Sequence, residues 1–569
     1  MTPTTTKAGT DRPHPQVLVV GAGPVGLVAA HELARHGVRV RLVDAAPGPA
    51  VTSRALATHA RTLETYDHMG VIGELLGRGQ RVEHFTLHQN GSRLVRFDTD
   101  YSRLPTRYPF TLMVDQVITE EVLRGAAARH GVTVEWGTRL DSLADTGSGV
   151  RARLAGPDGQ VETAEADWLI GCDGGHSTVR DQLGLRLVGD SNDTWLIADA
   201  VVDCDLPRDS IHWMRTPAGT VMMVPFPEPG KWRLLDTADV SRDEDAAAVA
   251  RRFTRKIGAG TGQRVRVGEP TWVSVFTIQQ RMIPQMRVGR CFVAGDAAHV
   301  HSPASGQGMN TGVQDAFNLA WKLAAVIREE ADEELLDSYG PERVPVGVQL
   351  LKSTRMATLL VQLRSRAAAM ALRTVFTVVR SVPLLKSKIE RKIMGGMSAL
   401  GLGYGDPPPS GAGRSDPLPP GGRAARVTAD RCRESLGWRE LLDALRRPTW
   451  TLLIADGGEA GSVARSIAEE YAGRVAVRVV GADSAAARQS APAVSLADPE
   501  GFLRADLGLA RGAWLLLRPD GYAAARGEES TPDRLRAALG AHRVRAADSS
   551  AGHLDGHPAP ARSEAARRA

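Results

Sequence analysis

The stretch Arg287–Leu323, RVGRCFVAGDAAHVHSPASGQGMNTGVQDAFNLAWKL, decides how the rest of the chain is read. Its apolar run Cys291 to Ala294 has the composition of a buried strand and ends at Gly295-Asp296. A loop broken by Pro303, Gly306 and Gly308 follows. From about Met309 apolar residues recur at helical spacing: Val313, Phe317, Ala320, Trp321 and Ala324. The pattern places a carboxylate at a strand end and lifts a glycine loop into a helix N-terminus. Free N–H groups and the positive helix end then face a ligand, a surface suited to a polyol and an electron-rich ring edge. Taken alone, the same pattern also fits a plain strand–loop–helix connection.

A second segment lies near the amino end. Gln16 to Val20 reads as a strand, Gly21-Ala-Gly23-Pro24-Val-Gly26 opens a helix reaching about His36, and Arg39 to Val43 is a strand ending at Asp44. This is G-x-G-x-x-G between strand and helix, with an acid about 20 residues on. Gly21 allows the tight turn, Gly23 lets a pyrophosphate approach the backbone, and Gly26 lets helix and strand pack. Asp44 can accept from both hydroxyls of a ribose, which points to adenosine without a 2′-phosphate. The motif by itself does not separate FAD from NAD.

A third segment is Trp168-Leu-Ile-Gly-Cys-Asp173-Gly174-Gly175-His176-Ser177-Thr-Val-Arg180. An apolar strand ends in Asp-Gly, and Arg180 follows with a planar fork suited to oxyanions. Between the first two strands' unit and this one lies Thr52-Ser-Arg54-Ala-Leu-Ala-Thr-His-Ala-Arg61-Thr-Leu-Glu64, small polar residues around two arginines, followed by an expected amphipathic helix Thr62 to Leu76. Val114-Asp115-Gln116 precedes a helix from Val117 to His130, with Asp115 in the place of an N-cap.

These segments, in this order, resemble the dinucleotide, DG and GD motifs of class A FAD-dependent aromatic monooxygenases, of the phenol hydroxylase and aromatic polyketide hydroxylase type. The resemblance covers roughly residues 15 to 400. It implies that Asp296 holds the ribityl chain, that the loop from Pro303 to Gly308 cradles the isoalloxazine, and that the 173–180 segment touches both FAD and the pyridine nucleotide. Arg54 matches an arginine lying over the flavin, Gln116 a glutamine that contacts the cofactor, and Arg61 is a weaker match. The implied cofactor surface comprises Gly21, Gly23, Pro24, Gly26, Asp44, Arg54, Gln116, Asp173, Arg180, Gly295, Asp296, Pro303, Gly306, Gly308, Met309 and Asn310, with Arg54 and Pro303, at the flavin edge, as the catalytic candidates.

Residues 186 to 276 alternate with strand period around turns at Pro217-Ala-Gly219 and Pro227-Glu-Pro-Gly230 and read as an antiparallel second lobe. Glu83 to Phe97 also alternates, with Asn90-Gly91 as a hairpin turn. Trp213, Met222, Phe226 and Trp232 either pack that sheet's core or line a flat apolar substrate, and His212 or Arg215 could polarise a phenol, with neither singled out. From Leu335 to about Leu400 the chain reads as a basic helical pair, with Arg355, Arg364, Arg366, Arg373 and Arg380 among apolar residues and an intervening Pro383. Pro407 to Gly422 is Pro/Gly-rich linker. The strands and helices beyond resemble the thioredoxin-like terminal domain of phenol hydroxylases, without a redox dithiol, so packing or association is the expected role.

At 569 residues the chain exceeds one core. Seventy basic against 65 acidic residues give a net charge of only +5, which calls for no nucleic acid. Cys172, Cys204, Cys291 and Cys432 are scattered without metal or disulfide spacing, so no metal is expected and a reducing cytoplasm is the simplest home. The apolar run from Val17 to Ala30 is too short and too glycine-rich to span a bilayer.

The expected fold is α/β: a Rossmann-type FAD-binding domain (p-hydroxybenzoate hydroxylase-like), an inserted antiparallel-sheet substrate domain, and a C-terminal thioredoxin-like α/β domain. The expected boundaries are 1–14 unstructured, 15–185 and 281–404 the two parts of the FAD-binding domain, 186–280 the substrate lobe, 405–424 linker, 425–545 the thioredoxin-like domain, and 546–569 tail. No second nucleotide fingerprint occurs, since GAGTGQ at 258–263 lacks the final glycine. NADPH or NADH must therefore reduce the flavin without a Rossmann unit of its own. The resemblance implies insertion of one atom of O2, through a flavin C4a-hydroperoxide, into a phenolic or polycyclic aromatic substrate, such as a polyketide in antibiotic biosynthesis. Baeyer–Villiger or dearomatising oxygenation, and a flavin-binding scaffold without turnover, stay open as alternatives. A halogenase does not, because W-x-W-x-I-P is missing. The protein is expected to be a monomer or homodimer without membrane insertion.

Overall fold

The strand Val17–Val20 is flanked by two parallel neighbours, Val40–Asp44 on one side and Trp168–Gly171 on the other, and helix α1 (Pro24–Arg35) makes the first crossover. Cys291–Val293 extends the sheet beyond Trp168–Gly171, Arg287–Val288 closes that edge, and Val134–Trp136 closes the other. Every residue of Val17–Val20 and of Trp168–Gly171 is buried, as continuous apolar strands covered on both faces require. A computed structural model of the chain describes residues 14–97, 104–238, 245–301, 306–362, 374–376, 382, 398–405, 417–481 and 495–547.

The helix expected over Thr62–Leu76 is two pieces: α2 (Ala60–His68) and a short turn Ile72–Leu76. Gly70, at φ +77°, breaks them apart. Helix α3 (Gln116–Arg129) begins with Asp115 in the N-cap position, but Asp115 makes no side-chain cap hydrogen bond there.

The second lobe is one large sheet in the order His299–Val300, Trp272–Met282, Val188–Asp203, Lys231–Asp236, Gly219–Pro225, Ser210–Thr216, His84–Gln89, Ser92–Phe97, with Arg266–Val267 attached to the long third strand. Two corrections to the sequence reading follow. The lobe recruits residues 84–97 and 299–300 from outside 186–280. It is also not wholly antiparallel, because Ser210–Thr216 and His84–Gln89 run parallel. Helix α4 (Ala246–Thr261) covers one face, burying Val249, Phe253 and Ile257 against Met214, Met223 and Leu234. The GAGTGQ segment proves to be the C-terminal turn of that helix.

Helix α5 (Gly308–Ile327) packs along α1 through Val313, Ala316 and Ala320 and is buried almost throughout. Helix α6 (Tyr339–Gln362) follows; the side chain of Arg355, and all of Arg364, Arg366, Arg373, Arg380 and Pro383, lie outside the described residues. In the C-terminal unit, Trp450–Ala455 pairs parallel with Val475–Gly481, which in turn pairs parallel with Ser495–Ala497. On its other side Trp450–Ala455 pairs antiparallel with Trp514–Leu517, followed by Ala523–Gly527. Pro417 to Ala424, expected as linker, belongs to this unit's core: Leu418 and Ala424 are buried, and Gly421 N–H donates to the Ala523 carbonyl. At the far end Ala547 N–H donates to the Glu470 carbonyl, and nothing beyond 547 is described. Among the described residues no helix is long and apolar enough to cross a membrane, and no cluster of His, Cys, Asp and Glu could hold a metal ion.

Candidate active site

Four turns leave the parallel sheet at the carboxyl ends of adjacent strands: Gly21–Gly26, Asp44–Ala46, Asp173–Ser177 and Gly295–Ala297. Ligands of open α/β sheets bind at that edge. At the first turn, Gly21 has φ +103°, and a Cβ there would sit 2.4 Å from the Cys172 carbonyl oxygen. A Cβ at Gly26 would meet the Gly21 carbonyl oxygen at 1.8 Å. A Cβ at Gly23, by contrast, would meet no protein atom within 4 Å. Gly23 is also the N-cap of α1 and supplies no side chain, so the first-turn N–H groups, with Pro24 leading the helix, face open space. Asp44 closes the turn: Ala22 N–H donates to Oδ2 (2.6 Å) and Ala46 N–H to Oδ1 (2.8 Å). Each carboxylate oxygen retains a lone pair for a ribose hydroxyl. This cradle fits the diphosphate and adenosine of FAD.

The DG segment is capped twice. Ser177 Oγ donates to Asp173 Oδ1 (2.5 Å) and accepts from Arg180 N–H (2.9 Å), while Val179 N–H donates to Asp173 Oδ2 (3.0 Å). Burial raises the Asp173 pKa, against the pull of these hydrogen bonds. Arg180 was expected to meet a pyrophosphate. Its guanidinium is buried instead, donating to the Gly175 carbonyl (3.0 Å), the Ala297 carbonyl (3.4 Å) and Asp181 (3.1 Å). It ties the DG turn to the GD turn.

At the GD turn Gly295 has φ +63°, and a Cβ there would strike Val25 of α1 at 2.8 Å. Asp296 points out of the turn with its side chain exposed in the cleft. Protein surrounds it closely enough that desolvation raises its pKa, opposed by His299 and Arg54. Arg54 is itself exposed. Gly308 and partly buried Met309 open α5, and the N-cap residue Gln307 places no side-chain acceptor over that first turn. Gly306, at φ +62°, passes 3.1 Å from Ala57 when given a Cβ. Pro303 lies outside the described residues.

Two further assignments change in kind. Gln116 was placed against the cofactor, yet Ala55 N–H donates to its Oε1 (2.9 Å) and its Nε2 donates to Glu120 (2.8 Å). Asn310 accepts from His59 N–H (2.9 Å) and donates to the Ala57 (2.8 Å) and Gly306 (2.7 Å) carbonyls. Both side chains shape the Ser53–His59 loop from within. Arg61 does not approach the cleft at all; it is buried against Glu64 and Tyr522.

Strand period two sorts the second lobe. Trp213 and Met222 are cross-strand partners and, with Phe226, lie on the face shared with Leu56 and Met113 of the first unit. His212 and Trp232 lie on the opposite face, so His212 is corrected as a substrate contact: Nδ1 meets His88 Nε2 (3.2 Å) and Nε2 the Pro207 carbonyl (2.8 Å), and burial lowers its pKa to about 4.

Sequence reading missed two groups. Arg233 and Asp199 are register partners joined through both carboxylate oxygens (2.8 and 2.7 Å), and Arg233 also donates to the Ser53 and Arg54 carbonyls (2.8 Å each). Asp315 accepts from Gly295 N–H (3.1 Å), His299 Nε2 (2.6 Å) and Arg343 Nε (2.7 Å). Burial opposes its ionisation, but Arg343 and His299 hold the carboxyl below the usual range. The signal for each was a charged residue inside an otherwise apolar run.

A dinucleotide cradle on a parallel sheet, an acid-bearing turn beside it and a second lobe whose apolar face packs on that unit are an arrangement that fits a flavin-dependent oxygenase. The family model for the FAD binding domain matches residues 14–354, and the chain belongs to that family. It is 51% identical over 552 residues to the 6-methylpretetramide 4-monooxygenase of Streptomyces rimosus, covering 96% of this chain and 97% of that one. Among solved structures it resembles the anhydrotetracycline hydroxylase OxyS of Streptomyces rimosus (TM-score 0.71, 30% identity, 94% and 100% of the chains). It also resembles aklavinone-11 hydroxylase in complex with FAD and aklavinone (TM-score 0.72, 26% identity, 94% and 100%). The protein is an FAD-dependent flavoprotein monooxygenase.

Proposed function

We propose that this enzyme hydroxylates the phenolic ring of a polycyclic aromatic polyketide, consuming NAD(P)H and O2, in the assembly of an antibiotic-type product. The observation that supports the reading is that Trp213, Met222 and Phe226 form one buried apolar cluster with Leu56 and Met113, on the side of the second lobe turned toward the unit that bears Arg54, Asp296 and the Gly306–Gly308 loop. Similarity along nearly the full length of a pretetramide monooxygenase supports the same substrate class.

FAD, when bound, supplies hydride acceptance from the reductant and activation of O2. The chain's own residues bind and orient. The Gly21–Gly26 turn and Asp44 hold the adenosine diphosphate portion, and Asp296 is placed for the polyol. The first-turn N–H groups of α5 offer donors, with the positive helix end, to the electron-rich edge of the ring system. The apolar sheet face keeps water from the reacting edge and lays a planar substrate parallel to it.

The test is stimulated NADPH and NADH consumption across a panel of tetracyclic phenols, with products identified by mass. A product heavier by 16 mass units with an intact ring skeleton is expected. A lactone or cleaved ring would transfer the assignment to Baeyer–Villiger chemistry, and no stimulation by any member would overturn the substrate class.

A further inference from the structure

Two tyrosines of the C-terminal side reach two buried arginines of the FAD-binding unit. Tyr404 Oη accepts from Arg343 Nη1 and Tyr522 Oη accepts from Arg61 Nε, each at 3.3 Å. The tyrosine rings lie against each other with centroids 4.3 Å apart and planes tilted by 40°, and both side chains are buried. Tyr404 is held to the C-terminal unit by its own backbone, donating N–H to the Gly421 carbonyl (2.9 Å), while Tyr522 follows the Asp520-Gly521 turn of that unit.

The far side of Arg343 grips groups next to the cofactor cleft, whereas Arg61 is joined to the cleft only through its own helix. Arg343 donates through Nε to Asp315 and through Nη2 to the Thr311 carbonyl in the first turn of α5 (3.2 Å); the second oxygen of Asp315 takes Gly295 N–H, next to Asp296. Arg61 donates to the Asp520 carbonyl (3.2 Å), pairs with Glu64 (3.2 Å), and sits one residue into α2, which continues from the Ser53–His59 loop bearing Arg54. Asn310 then joins that loop to α5. One chain of polar contacts therefore runs from the C-terminal unit to both arms of the cofactor cleft.

We propose that Tyr404 and Tyr522 are positioning residues of the cofactor site, so that the C-terminal unit sets the pose of the GD turn and the Arg54 loop and with it the affinity for FAD. The inference rests on the reading of this cleft as the FAD site. Removing a phenolic acceptor leaves a buried guanidinium N–H unpaired and frees it to rotate about Asp315 or Glu64, which loosens the backbone those groups hold.

The experiment uses the full-length chain. FAD is titrated into apoprotein of the wild type, Tyr404→Phe, Tyr522→Phe and the control Trp321→Phe, and the visible flavin spectrum and apoprotein melting temperature are recorded. Trp321 touches the C-terminal unit through Asp520 (3.1 Å) from the far part of α5, thirteen residues beyond the Gly308 that opens the helix at the cleft. Tyr404→Phe is expected to raise the Kd for FAD about fivefold, one hydrogen bond to a charged group seen at one remove, with a shifted visible band. Tyr522→Phe should raise it less, and Trp321→Phe should lower the melting temperature with Kd unchanged. Kd values of both tyrosine variants within twofold of wild type would overturn the proposal, as would an equal rise in Trp321→Phe. Failure of the wild type to bind FAD would instead bring down the cofactor reading beneath it.

Discussion

Gly23 and Gly26 lie three residues apart on one turn, yet a Cβ at Gly26 would sit 1.8 Å from the Gly21 carbonyl oxygen while one at Gly23 would meet nothing within 4 Å. Gly26→Ala must push backbone against backbone and should destabilise the apoprotein by at least about 1–3 kcal/mol, as overpacking does. Gly23→Ala has an ordinary φ of −70° and room for its methyl, so the apoprotein should melt like wild type. The methyl fills the space a diphosphate needs, and FAD affinity should fall at least about tenfold, or about 1.4 kcal/mol. Melting of apoprotein and FAD titration of both variants check the contrast.

Asp296 reaches into the cleft rather than into the protein, so its removal costs the fold little. Asp296→Ala should purify as a folded protein with visible flavin absorbance reduced several-fold relative to its protein absorbance. Full flavin occupancy would count against the assignment of that carboxylate.

Arg233 joins the two lobes by holding Asp199 on its own sheet and the Ser53 and Arg54 carbonyls on the other unit. Arg233→Met strands the buried Asp199 carboxylate and should destabilise the protein by about 3–5 kcal/mol. Arg233→Lys keeps the charge but loses the fork that spans all three acceptors, and an intermediate loss is expected. Urea unfolding curves of the two apoproteins give the ranking, and equal stabilities would show that the fork is not what holds the Arg54 loop.

Adjacent residues on one strand should behave as different classes. Trp213→Leu, on the face toward the cofactor unit, should raise the KM for the aromatic substrate about tenfold, as expected for loss of an aromatic contact worth about 1.4 kcal/mol. His212→Ala, on the α4 face, should leave KM unchanged and lower stability by about 1–3 kcal/mol by orphaning the Pro207 carbonyl and His88. Steady-state kinetics beside thermal melts separate the two.

Acid should unfold this protein through its histidines. Burial, aided by Arg35, lowers His31 to about 3; burial with Arg35 and Arg328 lowers His36 to about 3, and burial with Arg61 lowers His68 to about 3. A histidine with a depressed folded pKa contributes stability that is complete above its unfolded value near 6.5 and is lost as pH falls toward 3, because the unfolded chain takes the proton first. Buried carboxyls with raised pKa, such as Glu32, act in the opposite sense, so the informative quantity is a difference between variants. Between about pH 5.5 and 4, His31→Asn should flatten the slope of unfolding free energy by about 1.4 kcal/mol per pH unit, one proton's worth. An unchanged slope would mean that His31 is protonated in the folded state.

How much of this was legible in the sequence depended on the range of each interaction. Gly21, Gly23, Gly26, Asp44, Asp173 and the Gly295–Asp296 pair were readable because a turn's conformation and a strand's end are local properties, written within a few residues. The alternation that makes the second lobe a sheet was equally local. Which lobe His84–Phe97 would join was not, nor which face of that sheet would meet the cofactor unit, so His212 and Trp213 read alike until the sheet was folded. The partners of Gln116, Asn310, Arg180 and Arg61 were also hidden: a side chain's polar atoms are committed by whatever approaches across tens or hundreds of residues. Sequence by itself determined a dinucleotide cradle followed by an acid-bearing turn and a glycine loop, since glycine geometry and strand period need no distant partner. Only the tertiary structure decided that Asp315 and Arg343 hold the acid-bearing turn and that Arg233 holds the Arg54 loop, because a buried charge is stable only where the fold brings its counter-charge within hydrogen-bonding distance.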